Sequence, residues 1–254
     1  MNSELDRLIE IVKKLRAPDG CEWDNAQTSE TLTPFLLEET YEVIDAIESN
    51  DIQLLKEELG DLLLHVVFQA EIANEKNSFK LSDSIKHVSD KLIDRHPHIF
   101  NNDKDESYRE GNWELSKQNE KKRKYILEGV PLKLPALTRA KRIQEKAASV
   151  GFDWENTDQI FDKVHEEIDE LKEAIKTGDY NNTFEEIGDT LFAIVNVARF
   201  LEYDSESALR SAIRKFENRF NQIEDQLKLN NKTFKDSSLT DLELIWNKIK
   251  SEEK

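Results

Sequence analysis

The feature that most constrains this chain is an internal repeat, in which two segments match without a gap at an offset of 128 residues. The first segment reads LEETYEVIDAIESNDIQLLKEELGDLL (37–63), and the second reads HEEIDELKEAIKTGDYNNTFEEIGDTL (165–191). Further along each half, the KLIDR of 91–95 has a counterpart in the KFENR of 215–219. Two copies at so long a period favour two homologous domains over a solenoid of many short repeats.

The spacing of apolar residues is helical in both copies, and the scarcity of glycine (7) and proline (5) disfavours a turn-rich β fold. We predict an all-α protein of two homologous helical-bundle domains, with the bundles completed by dimerisation. Ser205 is predicted as the N-cap of its helix. In the second copy the predicted helices number four and lie at about 158–177, 183–202, 205–229 and 239–251.

The segment EGVPLKLPA at 128–136 has two prolines, one glycine and little helical pattern, so we predict a linker there. An N-terminal domain then occupies 1–127 and a C-terminal domain 137–254.

Charge and hydropathy exclude several classes of protein. A net charge of -17 argues against a nucleic-acid binder, which needs a basic surface. No apolar run reaches the ~18 residues of a membrane span, and the N-terminal MNSELDRLIEIVKKL contains acids that a signal peptide lacks. The single cysteine, Cys21, excludes an internal disulfide, so we expect a cytoplasmic protein.

Each copy carries two pairs of acids at one spacing, E-x-x-E and, after fifteen residues, E-x-x-D. In the second copy Glu167 and Glu170 border an apolar stripe, because a helix turns by about 100° per residue. Glu186 and Asp189 interrupt a helix that is otherwise apolar on almost every side. The two helices form an antiparallel hairpin about residue 179, so both pairs lie at similar heights. Four carboxylates are therefore predicted to converge.

Carboxylates gathered beside a core repel one another and lose hydration, so either their pKa values rise or a cation lies among them. Mg²⁺ prefers such oxygen ligands and keeps waters that phosphate can replace. A solvated acidic helix face explains one pair well, but two sets with identical spacing favour a metal site. The aligned acids of the first copy offer a second metal site, at Glu39, Glu42, Glu58 and Asp61.

Other function classes fit these residues less well than a divalent-metal site. A di-iron carboxylate bundle needs Glu-x-x-His on two helices, and here the corresponding positions are Glu and Asp. A P-loop is excluded because no GxxxxGK[ST] occurs. A non-catalytic acidic dimeric adaptor with a structural divalent cation stays as the alternative.

Together these motifs resemble the MazG-type nucleoside triphosphate pyrophosphohydrolases, of the all-α NTP pyrophosphatase superfamily, in their two-domain bacterial form. The resemblance rests on CEWD, LLEETYEVIDAI, ELGDLLLHVVF and DRHPHIF in the first half, and on LPAL and VGFDW before the second acidic set. It implies Mg²⁺-dependent hydrolysis of NTPs and dNTPs to nucleoside monophosphate and pyrophosphate by a homodimer. The implied metal ligands are Glu167, Glu170, Glu186 and Asp189.

The resemblance also implies a set of nucleotide-binding residues: Lys163, Val164, His165, Glu166, Glu167, Asn182, Thr183, Phe184, Glu185, Asp189, Lys215, Phe216, Glu217, Asn218, Arg219 and Trp246. For catalysis we expect Glu166 or Glu170 to accept the proton of water. Lys163, Lys215 and Arg219 are expected to offset the charge that develops on the pyrophosphate leaving group. Trp246 either stacks on the base or closes the core.

The neighbours of the acids separate the two copies. Lys163 and Asn196 of the second copy correspond to Phe35 and Phe68 of the first. Asn196 is a lone polar residue in an apolar stretch, and we expect it to orient a ligand or a water. Because two aromatic rings replace a cation and an amide, the second copy is predicted to be the main catalytic one.

Overall fold

The computed structural model describes residues 3–100 and 124–252, and the elements in these ranges are helical. The chain divides into two compact units, Met1–Glu106 and Ser107–Lys254. This agrees with the predicted all-α class and two domains, whereas the linker at 128–136 stays a prediction. None of the described helices has the length and apolar character needed to span a membrane.

The first unit places its core between its N-terminal helix and its longest helix. Its helices are α1 (Glu4–Arg16), α2 (Glu22–Ala26), α3 (Thr33–Ser49), α4 (Ile52–Glu75), α5 (Leu81–Arg95) and α6 (Pro97–Phe100). The core consists of Val12, Leu32, Val67, Phe68 and Ile72. Helices α3 and α4 form a hairpin, which turns at Asn50 in the left-handed region (φ 56°).

The second unit repeats this hairpin and adds long helices after it. Its helices are α7 (Ala136–Ala148), α8 (Thr157–Thr177), α9 (Tyr180–Phe200), α10 (Ser205–Leu229) and α11 (Leu239–Glu252), with a 3-10 turn at Phe234–Asp236. The prediction of four helices missed α7. The hairpin of α8 and α9 turns at Gly178, whose φ of 72° suits a residue without a side chain.

Two helix starts differ from the predicted ones for a local reason. Helix α9 begins at Tyr180 rather than at 183, because the Asp179 carboxylate accepts hydrogen bonds from the backbone amides of Asn181 and Asn182. The predicted cap at Ser205 is wrong: Asp204 caps α10 by accepting from the Ser207 amide at 2.9 Å. Ser205 is instead buried.

Candidate active site

The hairpin of the second unit brings three of the four predicted acids into one group. Glu167, Glu170 and Glu186 each offer a carboxylate oxygen, and these oxygens all lie within 4.8 Å of one another. Glu167 is only 6% exposed, while Glu170 faces solvent. Asp189 lies outside this group of three, but its charge reaches Glu186.

The acids of this group are desolvated and repel one another, as the sequence predicts. Burial raises the pKa of Glu186, and the charges of Glu170, Asp189 and Glu167 raise it further. One carboxylate oxygen of Glu167 and one of Glu186, the Oε2 atom in each, are buried without a hydrogen-bond partner. Unpaired buried acceptors of this kind are costly, and a cation among them would satisfy both.

Lys163 compensates part of this charge. Its ammonium lies 2.7 Å from Glu167 Oε1 and 2.7 Å from Glu166 Oε1, one turn along α8. Hydrogen bonds to both carboxylates raise the pKa of Lys163, so the side chain stays charged. A single lysine leaves the remaining acids uncompensated.

The donor set fits the metal implied by the family resemblance. The donors are carboxylate oxygens only, which suits Mg²⁺ and does not suit a soft metal. The orphaned Oε2 atoms of Glu167 and Glu186 supply the unfilled acceptors that such an ion would take. Glu167, Glu170 and Glu186 are therefore the residues that would hold it, with Asp189 beside them.

A cavity of about 660 Å³ opens next to these acids. Four of the predicted site residues line it: Lys163, Glu167, Asp189 and Asn196. Its remaining wall is mostly apolar, formed by Leu127, Ile143, Gln144, Ala147, Gly151, Phe152, Asp153, Trp154, Phe192, Ala193 and Arg199. The lining therefore combines charged groups with aromatic rings, namely Phe152, Trp154 and Phe192.

None of these eleven wall residues was predicted as a site residue. Phe152, Asp153 and Trp154 belong to the GFDW segment, which above supports only the family resemblance. Arg199 lies one helical turn after Asn196, and nothing in the hydrophobic pattern marks it. The available signal was the position of GFDW just before the acidic helix α8.

The other predicted nucleotide contacts do not line this cavity. Asn182, Thr183, Phe184 and Glu185 lie in the first two turns of α9. Val164 is buried in the core, while His165 and Glu166 are exposed on α8.

The basic segment of α10 belongs to a separate aromatic cluster. The ring centroids of Phe216 and Trp246 lie 5.3 Å apart. The Arg219 guanidinium lies over the Trp246 ring, 5.4 Å from its centroid. Trp246 also packs on the core of Ile223, Leu227 and Ile249, as the core alternative predicts. Lys215, Glu217 and Asn218 are exposed on the same helix.

The first unit keeps the acids. Oxygens of Glu39, Glu58 and Asp61 lie within 4.8 Å of one another, with Glu42 beside them. Burial, followed by the charges of the neighbouring acids, raises the pKa values of Glu39 and Glu58.

Aromatic rings stand where the second unit has its polar residues. Phe35, the counterpart of Lys163, packs edge-on against Trp23 with ring centroids 6.1 Å apart. Phe68, the counterpart of Asn196, is buried in the core, with the Arg16 guanidinium 5.5 Å from its ring.

Comparison with known proteins gives the same division of the chain. The MazG nucleotide pyrophosphohydrolase domain matches residues 27–100 and 155–223. A Thermotoga maritima protein named nucleoside triphosphate pyrophosphohydrolase/pyrophosphatase MazG is 46% identical over 248 residues, which cover 96% of this chain and 95% of that protein. The nucleoside triphosphate pyrophosphohydrolase of Escherichia coli is 42% identical over 259 residues, which cover 99% and 98%.

Proposed function

The chain belongs to the MazG nucleotide pyrophosphohydrolase family and is a nucleoside triphosphate pyrophosphohydrolase, and on that premise we propose a Mg²⁺-dependent reaction at the second-unit site. An NTP or dNTP and water give the nucleoside monophosphate and pyrophosphate. The bond between the α and β phosphates breaks, and water supplies the new oxygen. The observation that carries this proposal is the group of Glu167, Glu170 and Glu186, with its two orphaned buried oxygens, beside a cavity of about 660 Å³ that Glu167 lines.

A metal ion and Lys163 would both offset the negative charge of the triphosphate. When bound at the acids, Mg²⁺ would offset the charge of the triphosphate and acidify a water. Lys163 lines the same cavity with its ammonium charged, so it supports the phosphates that develop charge as the bond breaks.

Of the two candidate bases, Glu170 is the better placed. It faces solvent and has no hydrogen bond to another described side chain, so the carboxylate oxygen that it does not offer to the metal can accept a proton and release it to bulk water. Glu166 already accepts a hydrogen bond from Lys163, which protonation of Glu166 would break.

We also propose that two copies form a homodimer. Phe184, Ile187, Leu191 and Ile194 follow one another at helical spacing along α9, and each is 46–68% exposed. An unpartnered stripe of this spacing is typical of a helix that packs on another helix. A second copy could also supply the basic residues of α10, which do not line the cavity within one chain. A cytoplasmic location and a housekeeping role in the nucleotide pool belong to the same proposal.

The test is a product assay with a panel of NTPs and dNTPs and Mg²⁺. We expect nucleoside monophosphate and pyrophosphate in equal amounts. Nucleoside diphosphate and orthophosphate would contradict the reaction. The acidic adaptor, the alternative class, would give no turnover with any nucleotide.

A further inference from the structure

Arg199 joins two walls of the cavity. Its guanidinium makes a two-pronged ion pair with Asp153, with Nη1 to Oδ2 at 3.0 Å and Nη2 bonded to Oδ1. The Arg199 side chain is only 10% exposed. Burial opposes ionisation of Asp153, but hydrogen bonds from Arg199 and from the Trp154 amide lower its pKa overall. The pair therefore stays charged and ties the segment before α8 to the end of α9.

Arg199 donates a third hydrogen bond, from Nε, to Asn196. Arg199 Nε donates to Asn196 Oδ1 at 2.8 Å, one turn back on α9. Rotating the Asn196 amide by half a turn would place its NH₂ against the guanidinium, where two donors face each other. Arg199 thus fixes which edge of the amide faces away from it. That edge is the Nδ2 donor, which has no hydrogen bond to any other residue in the described part of the chain, and Asn196 lines the cavity.

We infer that Arg199 is a positioning residue for base recognition: it orients Asn196 so that the amide NH₂ donates to a carbonyl oxygen of the nucleobase. Through Asp153 it also holds Phe152 and Trp154 in the cavity wall, where they can lie against the ring. The inference rests on the proposed function and adds a substrate preference to it. A base with a carbonyl at this edge gains a hydrogen bond, whereas an amino group there meets a second donor.

The experiment compares bases that differ by this exchange, ITP with ATP and UTP with CTP, through the ratio of their kcat/KM values. We expect wild type to prefer the carbonyl member in at least one pair by about tenfold, the scale of one hydrogen bond. Asn196→Asp keeps an acceptor for Arg199 but presents no donor, so that preference should disappear or reverse. Its added charge acts on both members of a pair and cancels in the ratio.

Arg199→Lys frees the amide to rotate, so the preference should fall toward one, with KM changing more than kcat. Asp153→Asn weakens the same ion pair with a smaller change and serves where the lysine variant folds poorly. Arg16→Lys is the matched control: Arg16 makes a similarly buried two-pronged pair with Glu75, but in the first unit. It should leave the ratio unchanged.

Two outcomes would overturn the inference. One is a wild type that shows no preference in either pair, and the other is a wild-type ratio that the folded Arg199→Lys and Asn196→Asp variants keep within twofold. Failure of the proposed function looks different, because wild type would then release no pyrophosphate from any of these nucleotides.

Discussion

Glu167 and Glu39 occupy matching positions in the two halves, so one substitution at each decides which copy is catalytic. Glu→Gln removes one charge and nearly preserves shape. In the second unit, the glutamine oxygen can keep the bond to Lys163, but its NH₂ takes the place of the orphaned Oε2. The new donor would bind a neighbouring acid and fill the position that a cation needs.

The structure sets the size of the effect. A cation held among the three acids lies within the 4.8 Å that separates their ligand oxygens. One unit charge at that separation contributes about 3.5 kcal/mol at an effective dielectric constant of about 20. A hundredfold rate loss corresponds to about 2.7 kcal/mol. We therefore expect Glu167→Gln to lower kcat/KM by at least ~100-fold, and Glu39→Gln by less than ~10-fold.

The assay is release of pyrophosphate at saturating Mg²⁺, with melting temperature as the control for folding. Glu167→Gln should melt no lower than wild type in a chelator, because the variant carries less repulsion. A larger loss from Glu39→Gln would show that the catalytic copy is the first one. A tenfold or smaller loss from Glu167→Gln would refute the charge argument itself.

Three further outcomes follow from the same site. Chelation should abolish turnover, and Mg²⁺ should raise the melting temperature, because the ion binds the folded state only; an unchanged melting point across a titration that saturates activity would contradict this. The pKa of Glu186 is higher in the folded protein than in the unfolded chain. Protonated Glu186 therefore contributes to the free energy of unfolding in full below the ordinary pKa of about 4.3, and this contribution is lost as pH rises through the pKa of the folded state. In a chelator, the melting temperature of Glu186→Gln should therefore rise relative to wild type as pH increases from 4 to 8, and a constant difference would count against it. Light scattering at micromolar concentration should give the mass of a dimer, whereas a monomer would exclude the shared bundle.

The sequence predicts the hairpin well because both signals are local. Helical spacing and the turn at residues 178–179 determine which faces of α8 and α9 meet, and hence bring Glu167 close to Glu186. Whether Asp189 joins the group of three acids depends on a rotation of a few tens of degrees about the axis of α9, which residue spacing alone does not resolve. The bond between Asp153 and Arg199 spans 46 residues, and no periodic pattern encodes a contact of that range.

The two units show that the acidic group and the polar residues beside it can be kept or lost separately in this fold. The acids depend on the hairpin alone, and both units keep a group of three carboxylates in which burial raises the pKa of Glu39 and Glu58 or of Glu186. The residues that we propose for recognition, Lys163 and Asn196, lie one turn before the group and two turns after Asp189. In the first unit these positions hold Phe35 and Phe68, and Phe68 completes the core. No cation is among the groups that shift the pKa of Glu39 or Glu58, so this first-unit group has less internal compensation than its counterpart. A cation bound there would relieve repulsion at least as much as in the second unit, next to Phe35 rather than a lysine.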